Sequence, residues 1–115
     1  MDLASRHCSP RREGISPLIR RKIFDLLDEV PEWSYTDGRL VRTFEFESFD
    51  QCLDFVTDVA HMAGQEGHYP DIAITESRVV TVSWYSYFCG GLTECDFIMA
   101  ARLSDRVRFR QGGVL

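Results

Sequence analysis

The order in which apolar spacing changes along the chain constrains the fold more than any other feature. Apolar side chains recur at helical spacing over residues 18–30, 49–63 and 97–103. Between these stretches lie two pairs of strand-like segments, 33–35 with 40–46 and 71–75 with 79–87. In the last of them, every second residue from Val80 to Trp84 is apolar, which is the period of a half-buried strand. The sequence therefore predicts the order α-β-β-α-β-β-α.

Two pairs of consecutive strands with helices between them are typical of an antiparallel sheet covered on one side. We therefore expect an α+β fold, in which a four-stranded antiparallel sheet carries three helices on one face. Such a sheet has two open edges, and pairing with a second copy satisfies their free backbone groups. A homodimer or tetramer, formed through a sheet edge or through the helices, is thus expected.

Local signals predict where several of these elements begin and end. Ser16-Pro17 is typical of a helix start, because serine caps and proline is tolerated at the first helical position. Asp37-Gly38 predicts a two-residue hairpin turn. Ser48 is placed to cap the second helix, and Gly64 and Gly67 are placed to end it.

The chain has 115 residues, which fits one domain. The first 14 residues are polar and contain proline and glycine, so a flexible tail is expected over 1–14. The domain is expected over 15–104. A second flexible tail is expected over 105–115, because that end contains Gly112-Gly113.

Composition and charge exclude several classes of protein. No apolar run approaches the roughly 18–20 residues of a membrane span, and no secretory signal pattern opens the chain, so a cytoplasmic protein is expected. The net charge is −5, and residues 24–100 hold fifteen acidic and three basic side chains. Such a body disfavours direct nucleic-acid binding, although the basic ends could contact an acidic partner.

Four cysteines are present: Cys8, Cys52, Cys89 and Cys95. No pair has CxxC spacing, and no cysteine–histidine pair has zinc-finger spacing, so no metal site is predicted. In a cytoplasmic chain we expect all of them to be free thiols.

Four motifs occur in the order in which they occur in one known family. They are Val30-Pro31-Glu32-Trp33, Phe44-Glu45-Phe46-Glu47-Ser48-Phe49, Gly67-His68-Tyr69-Pro70-Asp71-Ile72 and Gly90-Gly91-Leu92-Thr93-Glu94-Cys95-Asp96-Phe97. The chain resembles the pterin-4a-carbinolamine dehydratases over about residues 18–103. This resemblance implies the same α+β fold, and members of the family commonly form dimers or tetramers.

The resemblance also implies a site. Family enzymes remove water from a 4a-hydroxytetrahydropterin by acid–base catalysis, with no cofactor implied. His68 matches the first histidine of the His-His-Pro loop, and Asp96 matches the carboxylate near the last helix. The second loop histidine is Tyr69 here, and the Thr-His pair after the fourth strand is Ser86-Tyr87. Because phenol has a reference pKa of about 10 against about 6.5 for imidazole, either tyrosine is a weak proton acceptor at neutral pH.

Three hypotheses on function follow. The first is a catalytically degenerate family member that acts as a protein-binding assembly factor or chaperone, plausibly for RuBisCO in carboxysome-forming bacteria. Its partner surface is expected around Tyr69, Pro70, Tyr85, Ser86 and Tyr87, because tyrosine is enriched in interfaces. The second is an active 4a-hydroxytetrahydropterin dehydratase using His68 and Asp96. The third is a dimerisation cofactor of a transcription factor, a role also known in the family.

Overall fold

The computed structural model describes residues 2–8 and 15–112, with side chains as far as residue 108. Three helices and four strands follow a short 3₁₀ helix at Leu3–Ser5. In chain order they are α1 (Arg20–Leu27), β1 (Ser34–Thr36), β2 (Arg39–Glu45), α2 (Phe49–Glu66), β3 (Asp71–Thr75), β4 (Val79–Trp84) and α3 (Glu94–Gly112). The predicted element order is confirmed.

The four strands form one antiparallel sheet in the order β1-β2-β4-β3. The long central strands place Leu40 opposite Trp84 and Phe44 opposite Val80. All of these side chains are buried, while the alternate positions of both strands are exposed or half-buried. Because α2 and α3 pack on the buried side, the predicted α+β fold with its helices on one face is confirmed.

Aromatic side chains join the sheet to the helices in the core. The rings of Phe44 on β2 and Phe55 on α2 lie 4.7 Å apart between centroids, and Trp33 meets Phe44 edge-on. Val59 of α2 and Phe97 of α3 are fully buried against the same layer. Burial of large apolar side chains of this kind contributes about 1.5–3 kcal/mol each to folding.

Several local signals act as the sequence predicts. Asp37 and Gly38 both have positive φ, at 51° and 76°, which is the backbone of a type I′ hairpin turn. The Ser48 hydroxyl accepts a hydrogen bond from the Gln51 amide at 3.2 Å, capping α2. Gly67 ends α2 in the left-handed conformation that glycine adopts without cost. Gly64, in contrast, lies inside the last turn of the helix.

The predicted start of the first helix at Ser16-Pro17 is wrong. The helix begins at Arg20, and Ile19 before it has extended backbone. The Leu18 amide donates instead to the carbonyl of Leu92 at 2.8 Å, so this segment crosses the turn that precedes α3. The backbone amide of Leu18 bonds to that turn, so the segment remains extended and does not join the helix.

The predicted end of the fourth strand at Tyr87 is also wrong. Regular pairing stops at Trp84, and Ser86 bridges to Gly91 in a tight turn. The Ser86 carbonyl accepts from the amides of Cys89, Gly90 and Gly91, so the chain folds back on itself before α3.

Both predicted flexible tails are wrong in the parts that the structure describes. Residues 2–8 pack on α3, with Leu3 buried and with the Asp2 side chain capping the short helix at the Ser5 amide. At the other end α3 continues to Gly112, and Val107 in this extension is buried. The prediction rested on the polar composition of the two ends, whereas one apolar side chain in each, Leu3 and Val107, is buried. Residues 1, 9–14 and 113–115 of the expected tails lie outside the described residues.

The prediction of four free thiols is wrong for two of them. Cys8 and Cys95 form a disulfide across 87 residues of chain, with their Cα atoms 4.9 Å apart. Cys52 and Cys89 are free, and Cys52 is buried. Sequence spacing could not show this pair, because only the packing of residues 2–8 against α3 brings the two cysteines together.

Within the described part of the chain, no helix is long and apolar enough to cross a membrane.

Gly91 is required by a close approach rather than by its backbone angles. A Cβ at this position would lie 2.5 Å from the Cβ of Pro17, in the segment that crosses the turn. We expect Gly91→Ala to lower the free energy of unfolding by about 1–3 kcal/mol, because the two backbones must separate. Urea unfolding measures this change.

Gly64→Ala is the matched control, since a Cβ there would meet only the Tyr69 hydroxyl at an ordinary 3.4 Å. In a helix this change stabilises by up to about 1 kcal/mol. Equal destabilisation by the two variants would contradict the role given to the Pro17 contact.

Candidate functional site

A cavity of about 760 Å³ opens where α2 ends and α3 begins. Five parts of the chain line it: residues 7–8, the segment before α1, the end of α2 with the residues after it, the turn after β4, and the start of α3. The lining residues are His7, Cys8, Ile15, Ser16, Leu18, Glu66, Gly67, His68, Phe88, Thr93, Glu94, Cys95 and Ile98. This volume lies within the range of small-molecule sites, about 300–1,000 Å³.

His68, which lines this cavity, forms a buried pair with the carboxylate of Asp96 behind it. The His68 Nε2 lies 2.6 Å from the Asp96 Oδ1, and the two side chains are 6% and 0% exposed. An ionised carboxylate can only accept, so the hydrogen between them belongs to Nε2. Nδ1 is therefore the nitrogen left to exchange a proton. The ring also stacks on Trp84, with 16° between the two planes.

Asp96 is held by groups from two further segments. Its Oδ2 accepts from the Ser86 hydroxyl at 2.7 Å and from the Thr93 amide at 2.9 Å. The Thr93 bond caps the N-terminus of α3, where a negative charge is also favoured by the helix dipole. The sequence-predicted residues His68, Asp96 and Ser86 are thus brought together in one hydrogen-bonded unit.

A second polar cluster lies at the rim, centred on Glu66 in the last turn of α2. Its carboxyl accepts from the Cys8 amide at 2.6 Å and contacts the His7 Nδ1 at 3.0 Å. The Arg102 guanidinium stands 3.7 Å away. The hydrogen bond from His7, followed by that from the Cys8 amide, holds the pKa of Glu66 below its ordinary value.

Two of the sequence-predicted residues lie on the outer face of the sheet instead. The rings of Tyr85 and Tyr87 are 4.9 Å apart between centroids, and the Arg39 guanidinium lies 4.3 Å from the centre of the Tyr85 ring. The Tyr87 hydroxyl donates to Asp71, which also pairs with Arg39 at 3.0 Å. This cluster raises the pKa of Arg39, chiefly through its hydrogen bond with Tyr87.

The remaining predicted residues, Tyr69 and Pro70, follow His68 but do not line the cavity. Tyr69 is 61% exposed, and its hydroxyl stands over Gly64 on α2. The predicted cleft therefore divides into a buried unit around His68 and separate tyrosines at the surface.

Sequence reasoning missed the residues that the N-terminal segment brings to this cavity, His7 and Cys8, and their partner Glu66. No local motif marks them. The one available signal was the pair of Cys8 and Cys95, at the two ends of the chain. Among the residues described, no group of three or more histidine, cysteine or acidic side chains could hold a metal ion.

Residues 16–106 match the protein family described as Pterin 4 alpha carbinolamine dehydratase. A protein of Cupriavidus pinatubonensis, named "Putative pterin-4-alpha-carbinolamine dehydratase 1", is 43% identical over 105 residues, which are 90% of each chain. A protein of Microcystis aeruginosa, with the same name but for the number, is 37% identical over 93% of this chain and 95% of its own.

One solved structure shares the fold. It is the crystal structure of a "transcriptional coactivator/pterin dehydratase" from Brucella melitensis, with a TM-score of 0.69 and 23% identity. The alignment covers 78% of this chain and 97% of that one. At this level of identity the likeness supports the fold alone.

The buried carboxylate of Asp96 should be indispensable for stability. Asp96→Asn keeps the shape of the side chain but replaces one carboxylate oxygen by an NH2 group. Both oxygens of Asp96 accept hydrogen bonds, so at least one buried donor loses its acceptor. We expect a loss of about 2–4 kcal/mol in the free energy of unfolding. Asp105→Asn, at an exposed pair with Arg108, is the matched control and should change it by less than about 0.5 kcal/mol.

Glu66 should make stability depend on pH in the acid range. Because folding lowers its pKa, the carboxylate stabilises the folded chain above its ordinary pKa of about 4.3, and this contribution is lost as pH falls through the lower folded value. We expect Glu66→Gln to be about 1–2 kcal/mol less stable at pH 7 and to converge with the wild type near pH 3. A difference that is constant with pH would contradict this assignment.

Proposed function

The chain belongs to the pterin 4 alpha carbinolamine dehydratase family, and we propose that it dehydrates 4a-hydroxytetrahydropterins by acid–base catalysis at the cavity beside His68. The observation that carries this proposal is the buried His68–Asp96 pair, in which His68 lines a cavity of small-molecule size. Within this pair the carboxylate fixes one ring nitrogen and leaves the other for proton transfer.

The reaction requires a proton to be given and a proton to be taken. The carbinolamine loses water when an acid protonates its hydroxyl, the carbon–oxygen bond breaks, and a base removes the proton of the neighbouring ring nitrogen. Imidazole titrates near pH 6.5 and serves in either role at neutral pH. Asp96 supports this role, since a carboxylate bonded to Nε2 holds the ring in one tautomer and stabilises its protonated form.

Two substitutions relative to the family motif are expected to lower the rate of dehydration. Tyr69 and Tyr87 stand where the family has imidazoles, and neither lines the cavity. A positioned proton-transfer group contributes about 10²- to 10⁴-fold. His68 is then the one site imidazole that the motif retains, and we expect slower turnover than in an enzyme with the full set.

A second candidate is a binding protein that assists the assembly of a partner, with RuBisCO subunits as the proposed client. The observation that favours it is the exposure of aromatic side chains beside the site, with Tyr69 61% and Tyr87 64% exposed. Tyrosine supplies large contact area at interfaces, and hot spots are enriched in it.

We also propose that two copies pair through β3. Among the described residues this strand bonds only to β4, so it forms an edge of the sheet. Edge pairing in a dimer covers its free backbone groups.

Dehydration of a 4a-hydroxytetrahydropterin tests the enzyme proposal. The wild type should turn over, and His68→Gln should lose at least about 100-fold, because glutamine can still donate to Asp96 but cannot transfer the proton. His61→Gln, an exposed histidine on α2, is the matched control and should keep the wild-type rate. Thermal melting of each variant checks its fold.

An inert wild type would exclude the dehydratase. The second candidate would then be tested by co-sedimentation with purified RuBisCO subunits, using Tyr87→Ser as the variant that removes the exposed ring. Binding that is unchanged in this variant would contradict the proposed partner surface.

A further inference from the structure

The cavity contains a second imidazole that no part of the family motif supplies. His7 lines the same cavity as His68, although the two residues are 61 positions apart in sequence. We propose that His7 is a further catalytic residue, which acts as the acid that protonates the leaving hydroxyl while His68 acts as the base. This inference rests on the proposed dehydratase function.

The N-terminal segment is fixed to the cavity wall at three consecutive residues. Arg102 donates to the carbonyl of Arg6. Glu66 contacts the ring of His7 and accepts from the amide of Cys8. The Cys8 disulfide then joins the segment covalently to Cys95, the residue before Asp96. Because Cys95 and Asp96 share the first turn of α3, the tether positions His7 relative to the buried pair.

The hydrogen bonding of His7 repeats that of His68. Glu66, as a carboxylate, accepts from the ring, so Nδ1 carries a hydrogen and Nε2 is the nitrogen left for a bound molecule. The Arg102 guanidinium also lies 3.2 Å from Nδ1, and one of its N–H groups donates to the Arg6 carbonyl. Each imidazole is thus oriented by one carboxylate through one nitrogen.

The two environments differ in a way that assigns the roles. The His7 side chain is 78% exposed, whereas that of His68 is 6% exposed. An exposed imidazole next to a carboxylate recovers its proton from solvent after each turnover, which suits the acid. His68 suits the base, because Asp96 stabilises the positive charge that it gains.

The proton balance of the step is complete with these two groups. Protonated His7 gives its Nε2 hydrogen to the 4a hydroxyl, the carbon–oxygen bond breaks, and water leaves with the bonding pair. The Nδ1 of His68 takes the hydrogen of the adjacent ring nitrogen, whose electron pair forms the new carbon–nitrogen double bond. Solvent then returns a proton to His7 and accepts one from His68.

Steady-state kinetics of His7→Ala test this assignment. We expect kcat to fall about 10- to 100-fold with KM within about threefold, since the lost group acts in the transition state. Added imidazole should restore at least a tenth of the lost rate, because imidazole from solvent can reach the exposed position and, when protonated, supply the proton in place of the missing side chain. His61→Ala is the matched control and should show neither effect.

Reduction of the disulfide gives an independent measurement. A dithiol reductant converts the Cys8–Cys95 bond to two thiols and is itself oxidised to a disulfide. We expect reduction to lower kcat of the wild type at least threefold and to leave kcat of His7→Ala unchanged, because the tether acts through His7. Cys8→Ser with Cys95→Ser should match the reduced wild type.

The outcomes separate this inference from the function on which it rests. If the wild type is active and His68→Gln is not, while His7→Ala keeps kcat within twofold, the role of His7 is overturned and the dehydratase stands. A loss in His7→Ala that imidazole does not restore would also overturn it, since that pattern indicates a structural role. If the wild type is inert, both fail.

Discussion

The buried carboxylate of Asp96 is the constraint on which the site depends. It accepts hydrogen bonds from the loop after α2, through His68, and from the turn after β4, through Ser86. It also accepts from Thr93 at the start of α3. The loop around His68, 28 residues away in sequence, is thus joined to the turn after β4 and to the start of α3 at one fully buried carboxylate. Because an uncompensated buried charge is costly, the segments must pack together for the domain to fold.

The hydrogen bonds that stabilise buried Asp96 also determine the state of His68. The hydrogen bond between Asp96 and His68 satisfies a buried carboxylate and also fixes the tautomer of a histidine that lines the cavity. The atoms that stabilise the fold are therefore the same atoms that the proposed dehydratase function uses. The N-terminal segment follows a similar logic, since Glu66 both anchors the segment and orients the ring of His7.

Much of the fold could be predicted because its signals are local. The Asp37-Gly38 turn, the Ser48 cap and the Gly67 helix end each depend on a few neighbouring residues, and each is confirmed. The predictions failed where distant segments compete for the same backbone groups. Ser16-Pro17 has the chemistry of a helix start, but Leu18 bonds to Leu92 instead, and the helix begins later.

The site residues also separate into those that short motifs predicted and those that depend on tertiary contacts. The motifs around His68 and Asp96 indicated two residues that the structure joins at 2.6 Å, because both lie at element ends that this fold brings together. The tyrosines grouped with them by sequence lie elsewhere, since neighbours along an extended segment point to opposite sides. His7 and Cys8 were assigned to a flexible tail.

The sequence by itself determined the element order, the antiparallel sheet and the family, because these rest on periodicity and on short motifs. Only the tertiary structure decided which groups share the cavity. His7 lines the same cavity as His68, and the Cys8–Cys95 bond and the contact of Glu66 with Cys8, which hold its segment there, join residues 58 to 87 positions apart. Contacts over such separations leave no periodic trace in a single sequence.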